Sequence, residues 1–83
     1  MTQTTIGIDG MMCEMCEAHI NDAIRRNFAV KSAKSDRKKR RCVVVSEEPL
    51  DESRIREVIA ATGYDLLSIE AAPYQKKKLF GLF

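Results

Sequence analysis

The sequence predicts an α+β sandwich, two helices on one four-stranded sheet, with elements in the order β-α-β-β-α-β. Three observations predict it. Residues 17–28 and 51–62 carry apolar side chains at helical spacing. Short aliphatic stretches, suited to strands, lie before, between and after them. The chain has 83 residues, which is one domain's worth. A chain this short buries only about 60% of the surface its unfolded form exposes, so it builds one modest core and has little room for a deep catalytic cleft. The expectation is a non-enzymatic domain.

The first strand is read from Ile6 and Ile8 flanking Gly7, and Gly10 ends it. In the first helix Ile20, Ala23, Ile24 and Phe28 share one side, with Asn21, Asp22, Arg25 and Arg26 on the other. Glu14 and Glu17 near its start and Arg25 and Arg26 near its end suit the helix dipole. Val30 to Ser35 is a weak strand, placed mainly by its position in the order. Asp36 to Arg41 is a charged turn. Cys42-Val43-Val44-Val45 is a strand because β-branched residues crowd it. Pro49 breaks the chain, Asp51 is a candidate N-cap, and Ile55, Val58 and Ile59 form the buried stripe of the second helix. Gly63 stops that helix. Leu66 to Ile69 is the last strand, and Pro73 closes the folded part.

This order is the ferredoxin-like βαββαβ sandwich, with two helices on one face of a four-stranded antiparallel sheet. Each helix joins two parallel strands by a right-handed crossover, and a third strand lies between them. The loop after strand one, the charged turn and the turn at Gly63-Tyr64 must therefore share one end of the molecule. The chain termini belong at the other end.

Net charge is +2, but two, five and three of the fourteen Lys and Arg fall at Arg25–Arg26, Arg37–Arg41 and Lys76–Lys78. The N-terminus has no basic stretch followed by an apolar run, and no run reaches the roughly 18 apolar residues of a membrane span. The default expectation is a cytoplasmic protein with reduced thiols. Three cysteines, two of them three residues apart, argue against a disulfide framework and for metal or redox chemistry.

Cys13-Glu14-Met15-Cys16 lies at the start of the first helix. There the free N–H groups and the positive end of the dipole favour thiolates, and both sulfurs can face one point. Two thiolates suit Cu(I), and also Hg(II), Cd(II) or Zn(II). Thiol redox chemistry is the first rival, but the chain has no Trp, and neither Pro49 nor Pro73 is placed to face the cysteines. Structural zinc normally needs four ligands, and no second cysteine pair exists. Cys42 and His19 could complete such a set in principle. Cys42 is better read as a small half-buried apolar residue, and His19 as a solvated helix residue. Nucleic-acid binding on the sheet is disfavoured, because the two central strands carry no aromatic residue.

Gly10-Met11-Met12-Cys13-Glu14-Met15-Cys16 resembles the G-M-x-C-x-x-C signature of heavy-metal-associated domains. These include copper chaperones, metal-binding domains of P-type ATPases and mercury-binding proteins. The resemblance covers roughly Thr4 to Ala72 and includes Ile20, Ala23 and the Ala61-Thr62-Gly63-Tyr64 end of the second helix. It implies that Cys13 and Cys16 are the metal ligands, that Met11 is a buried prop beneath the loop, and that Tyr64 lies close to the site. Met12 and Met15 are expected to be exposed. The family usually has Gly-Val after the first helix, where this chain has Ala29-Val30. Asn27 or Ala29 must then serve at the helix end, and Asn is the better left-handed residue.

The division expected is a domain over residues 1–72 and a basic, apolar tail over 73–83, with weak membrane contact by the tail as one option for it. The partner expected is an acidic metal-receiving domain, such as that of a P-type ATPase, met by a monomer that can form a transient metal-bridged dimer. The charged turn, at the cysteine end, is the natural docking element for it.

Overall fold

Six elements build the molecule, whose computed structural model describes residues 1–74. They are β1 (Thr2–Asp9), α1 (Glu14–Asn27), β2 (Ser32–Asp36), β3 (Arg41–Ser46), α2 (Glu52–Thr62) and β4 (Asp65–Pro73). All four strands form one antiparallel sheet in the order β2-β3-β1-β4, and both helices pack on one face of it. The predicted order and fold class are those observed.

Alternation along the strands decides which side chains enter the core. On β1, Thr4, Ile6 and Ile8 are fully buried or nearly so, and their partners on β3, Val44 and Cys42, are fully buried with them. Ile20 and Ile24 of α1 and Ile55, Val58 and Ile59 of α2 cover this face. At about 25 cal/mol per Å² of apolar surface, this cluster is the main source of stability. The other face carries polar or half-buried residues in rows such as Lys34–Val43–Thr5–Glu70.

The two helix starts differ in chemistry. Asp51 caps α2, its carboxylate accepting from the Ser53 N–H at 2.9 Å. Gly63 ends α2 in the left-handed region at φ 90°, where a side chain would be strained. Cys13 stands at the N-cap position of α1 and makes no side-chain cap bond, which leaves its sulfur free.

Several boundaries differ from expectation. β1 begins at Thr2 because strands on both sides pair with its polar first half. α1 begins at Glu14, three residues earlier than its apolar stripe indicates. β2 begins at Ser32 rather than Val30. Val30 instead packs against the core from the preceding loop, and the Lys31 N–H donates to the Val45 carbonyl at 2.7 Å. β4 runs to Pro73, its exposed Ala71 and Ala72 held by pairing to β1. The end of α1 needs a correction. No residue there is left-handed. Phe28 is extended at φ −138°, and Asn27 serves instead through its side chain, donating to the Ala23 carbonyl at 2.8 Å. The apolar residues of the expected tail, Leu79 to Phe83, lie outside the described residues.

Candidate metal site

Gly10 turns the chain out of β1 at φ 102°. Met11 then folds inward and is buried, while Met12 and Met15 project into solvent, 82% and 80% exposed. With Met11 anchored, the loop reaches Cys13, whose carbonyl accepts from the N–H groups of Cys16 at 3.0 Å and Glu17 at 3.3 Å. That first turn of α1 brings the two sulfurs to 3.8 Å. Both thiols are free; Cys13 is exposed and Cys16 half-buried.

The surroundings favour thiolate at Cys16, whose pKa is lowered from 9.0 to about 7. The Tyr64 hydroxyl is the largest cause, followed by the Met12 and Cys13 backbone N–H groups; burial opposes them, and the Cys13 side chain adds a smaller lowering effect. The Tyr64 hydroxyl is pushed up in turn, because the Cys16 sulfur favours its protonated form. Tyr64 also meets His19 edge to face, with ring centroids 6.0 Å apart, and lies against Gly10, where an added Cβ would come within 3.3 Å of its ring. The expected closeness of Tyr64 to the cysteines is therefore observed.

The charged turn lies at this end as well. Asp36 organises it by accepting from the N–H groups of Lys38 at 2.9 Å and Lys39 at 3.1 Å. The Lys39 N–H is the leading cause holding the Asp36 carboxyl below its ordinary range. The Lys38 N–H and the charges of Lys39 and Arg41 act in the same direction, against desolvation. Arg40 closes the turn at φ 56°, and its carbonyl accepts from Ile8 N–H at 2.8 Å.

One residue of this region has a role its local sequence does not show. Glu17, placed above only as a helix-dipole residue, accepts from the Arg37 backbone N–H at 2.7 Å and pairs with the Arg37 guanidinium at 3.4 Å. It thereby ties the basic turn to the first turn of α1. The partners are twenty residues apart, so no spacing rule could have found them.

Cys42 and His19 do not join the cysteine pair. Cys42 is fully buried on β3, with its sulfur directed to the Asn21 side-chain oxygen at 3.9 Å, and burial pushes its thiol up. Among the described residues, no three His, Cys, Asp or Glu side chains cluster where they could hold one ion.

Residues 5–65 match the model of the heavy-metal-associated domain. The chain belongs to the heavy-metal-associated domain family. Solved structures of similar fold include the apo copper chaperone of Enterococcus hirae, 30% identical, with a TM-score of 0.63 over 83% of this chain and 98% of that one. A copper-binding domain of the P-type ATPase HMA7 is 27% identical, with a TM-score of 0.70 over 84% of this chain and 99% of that one. The N-terminal domain of the zinc(II) ATPase ZiaA, in its apo form, is 31% identical, with a TM-score of 0.61 over 81% of this chain and 63% of that one. No curated protein sequence matches the chain. Among the described residues no helix is long and apolar enough to cross a membrane.

Proposed function

We propose that this heavy-metal-associated domain carries one Cu(I) ion between Cys13 and Cys16 and hands it to an acidic receiving domain, such as one belonging to a P-type ATPase. The observation that carries the reading is the isolated, exposed sulfur pair, 3.8 Å apart and without a third candidate ligand among the described residues. Soft thiolates suit Cu(I), which accepts few ligands, whereas Zn(II) normally takes four. With metal–sulfur bonds of about 2.3 Å, a linear bis-thiolate site spans about 4.6 Å, so a small side-chain movement opens the pair to it. The ion leaves by two exchanges: an incoming thiolate adds to the exposed side to give a three-coordinate state and one original sulfur departs, then a second thiolate of the receiving domain displaces the other original sulfur in the same way. Nothing in this carriage calls for catalysis.

A second reading, zinc carriage on the same scaffold, is supported by the likeness to the ZiaA domain. Cd(II) and Hg(II) share the same soft-donor chemistry. Anaerobic titration against competing chelators, with Cu(I) and Zn(II) side by side, distinguishes the readings. The expected result is one Cu(I) per monomer, held far more tightly than Zn(II). Cys13→Ser and Cys16→Ser each abolish tight binding and leave the fold intact. Cys42→Ser leaves affinity nearly unchanged. Undiminished Cu(I) affinity in Cys13→Ser overturns the ligand assignment.

A further inference from the structure

Met12 and Met15 are the most exposed large apolar side chains among the described residues, more so than Met1 and Leu67. Neighbouring Met11 anchors the loop in the core, so packing does not need the other two. Holding such side chains in water forgoes the gain of burying them. Packing therefore gives no reason for methionine at either position, whereas donor chemistry does.

Their place in the chain is specific. Met12 precedes Cys13, and its backbone N–H is directed at the Cys16 sulfur. Met15 lies in the first turn of α1, between the two cysteines in sequence. Cys13 is the exposed member of the pair and Cys16 the half-buried one, so an arriving ion meets Cys13 first. Both thioethers are tethered beside that approach, on unbranched stems with three rotatable bonds that let them swing toward it. Thioether sulfur is soft and uncharged, suited to Cu(I) rather than to hard dications. Glu14 offers only hard oxygen in the same stretch and does not compete for a soft ion. A neutral thioether is also a weaker donor than a thiolate. It yields the ion to the cysteines and adds no lasting ligand to the loaded site.

We propose that Met12 and Met15 form an outer loading site for Cu(I), passed before the ion reaches Cys13 and Cys16. This rests on the Cu(I) reading above. The ion arrives as a complex with a small thiol or nitrogen donor. A thioether sulfur gives it a lone pair, and the ligands of the incoming complex leave one at a time. Cys13 and then Cys16 displace the thioethers. Copper stays Cu(I) throughout, and a proton still on either thiol passes to water.

Two measurements test this on the full chain, reduced and free of oxygen. In the first, Cu(I) is presented as its bicinchoninate complex, and transfer is followed by loss of that complex's colour. Met12→Leu/Met15→Leu keeps the apolar bulk and removes both sulfurs, so transfer should slow by roughly threefold to tenfold. An unchanged circular dichroism spectrum checks that the variant folds. Equal rates overturn the loading site. A fall of about tenfold or more in equilibrium affinity overturns it too, by making the methionines resident ligands. In the second, Ag(I) serves as a soft ion that does not change oxidation state, and Cys13→Ser/Cys16→Ser removes the thiolates. The methyl resonances of Met12 and Met15 should shift with Ag(I) and stay in place with Zn(II). No shift with Ag(I), or an equal shift with Zn(II), overturns the proposal. Failure of the natural chain to take up any Cu(I) is the separate result that overturns the carriage reading and the loading role with it.

Discussion

Tyr64 and Cys16 form a pair in which each holds the other's proton balance. The hydroxyl steadies the thiolate, and the thiolate keeps the hydroxyl protonated. Tyr64→Phe removes the largest lowering influence, so the Cys16 pKa should rise from about 7 toward 9.0. Iodoacetamide modification as a function of pH, read at Cys16 by mass spectrometry, follows this directly. The natural chain should react half-maximally near pH 7, and the Phe variant at distinctly higher pH. Because folding depresses this pKa, the associated stability is fully present above pH 9 and lost as pH falls through about 7. Cys42 should resist modification throughout, being buried with a raised pKa.

Another single residue works against the fold. Thr4 is buried with no hydrogen-bond partner for its hydroxyl among the described residues. Thr4→Val keeps the shape and removes the unpaired group, so stability should increase by about 1 kcal/mol in urea unfolding. A loss of that size would mean that the hydroxyl is satisfied in solution.

At the scale of elements, the β2–β3 turn is fastened from two directions. Asp36 shapes it from within and Glu17 ties it to α1. Glu17→Ala should cost about 1–2 kcal/mol, less than a buried charged contact because both side chains are partly exposed. The amide of Arg37 should lose protection from hydrogen exchange, while the metal-free sulfur pair keeps its geometry. Unchanged exchange at Arg37 would show that the turn is held by Asp36 alone.

The elements also show what was legible beforehand. Asp51, Gly63 and the isoleucines of both helices signal their places through local chemistry: a cap, a left-handed stop and a 3.6-residue period. The cysteine loop was legible for the same reason, being contiguous. What stayed hidden depends on partners distant in sequence. The polar half of β1 is a strand because β3 and β4 pair with it from both sides, and the exposed Ala71–Pro73 of β4 because they pair with β1. The α1 end, without glycine, is closed by an Asn27 side-chain bond that no turn rule anticipates. The Glu17 tie belongs to this group as well.

For the whole molecule, the distribution of charge matters more than its net value of +2. Lys38, Lys39 and Arg40 are exposed at the cysteine end, whereas Arg37 is partly neutralised by Glu17. Such a patch speeds encounter with an acidic partner and loses reach beyond about 8–10 Å at ordinary salt. The variant to make is Lys38→Gln/Lys39→Gln/Arg40→Asn, with Asn chosen because Arg40 lies at positive φ. Stopped-flow transfer of Cu(I) to an acidic acceptor domain should be slower and less salt-dependent, with chelator-measured affinity unchanged. Transfer as fast and as salt-sensitive as before would leave the turn a solvated tip.

The bond between the Tyr74 N–H and the Met1 carbonyl also bears on how the domain can be built into something larger. Entry and exit of the described chain are neighbours on the far side from the sulfurs, like the two prongs of a plug. A host protein could accept such a unit within one of its own surface loops without being prised apart, and the thiol end would still face outward. That makes the scaffold suited to grafting as a cassette attached at a single point, remote from its sulfur pair.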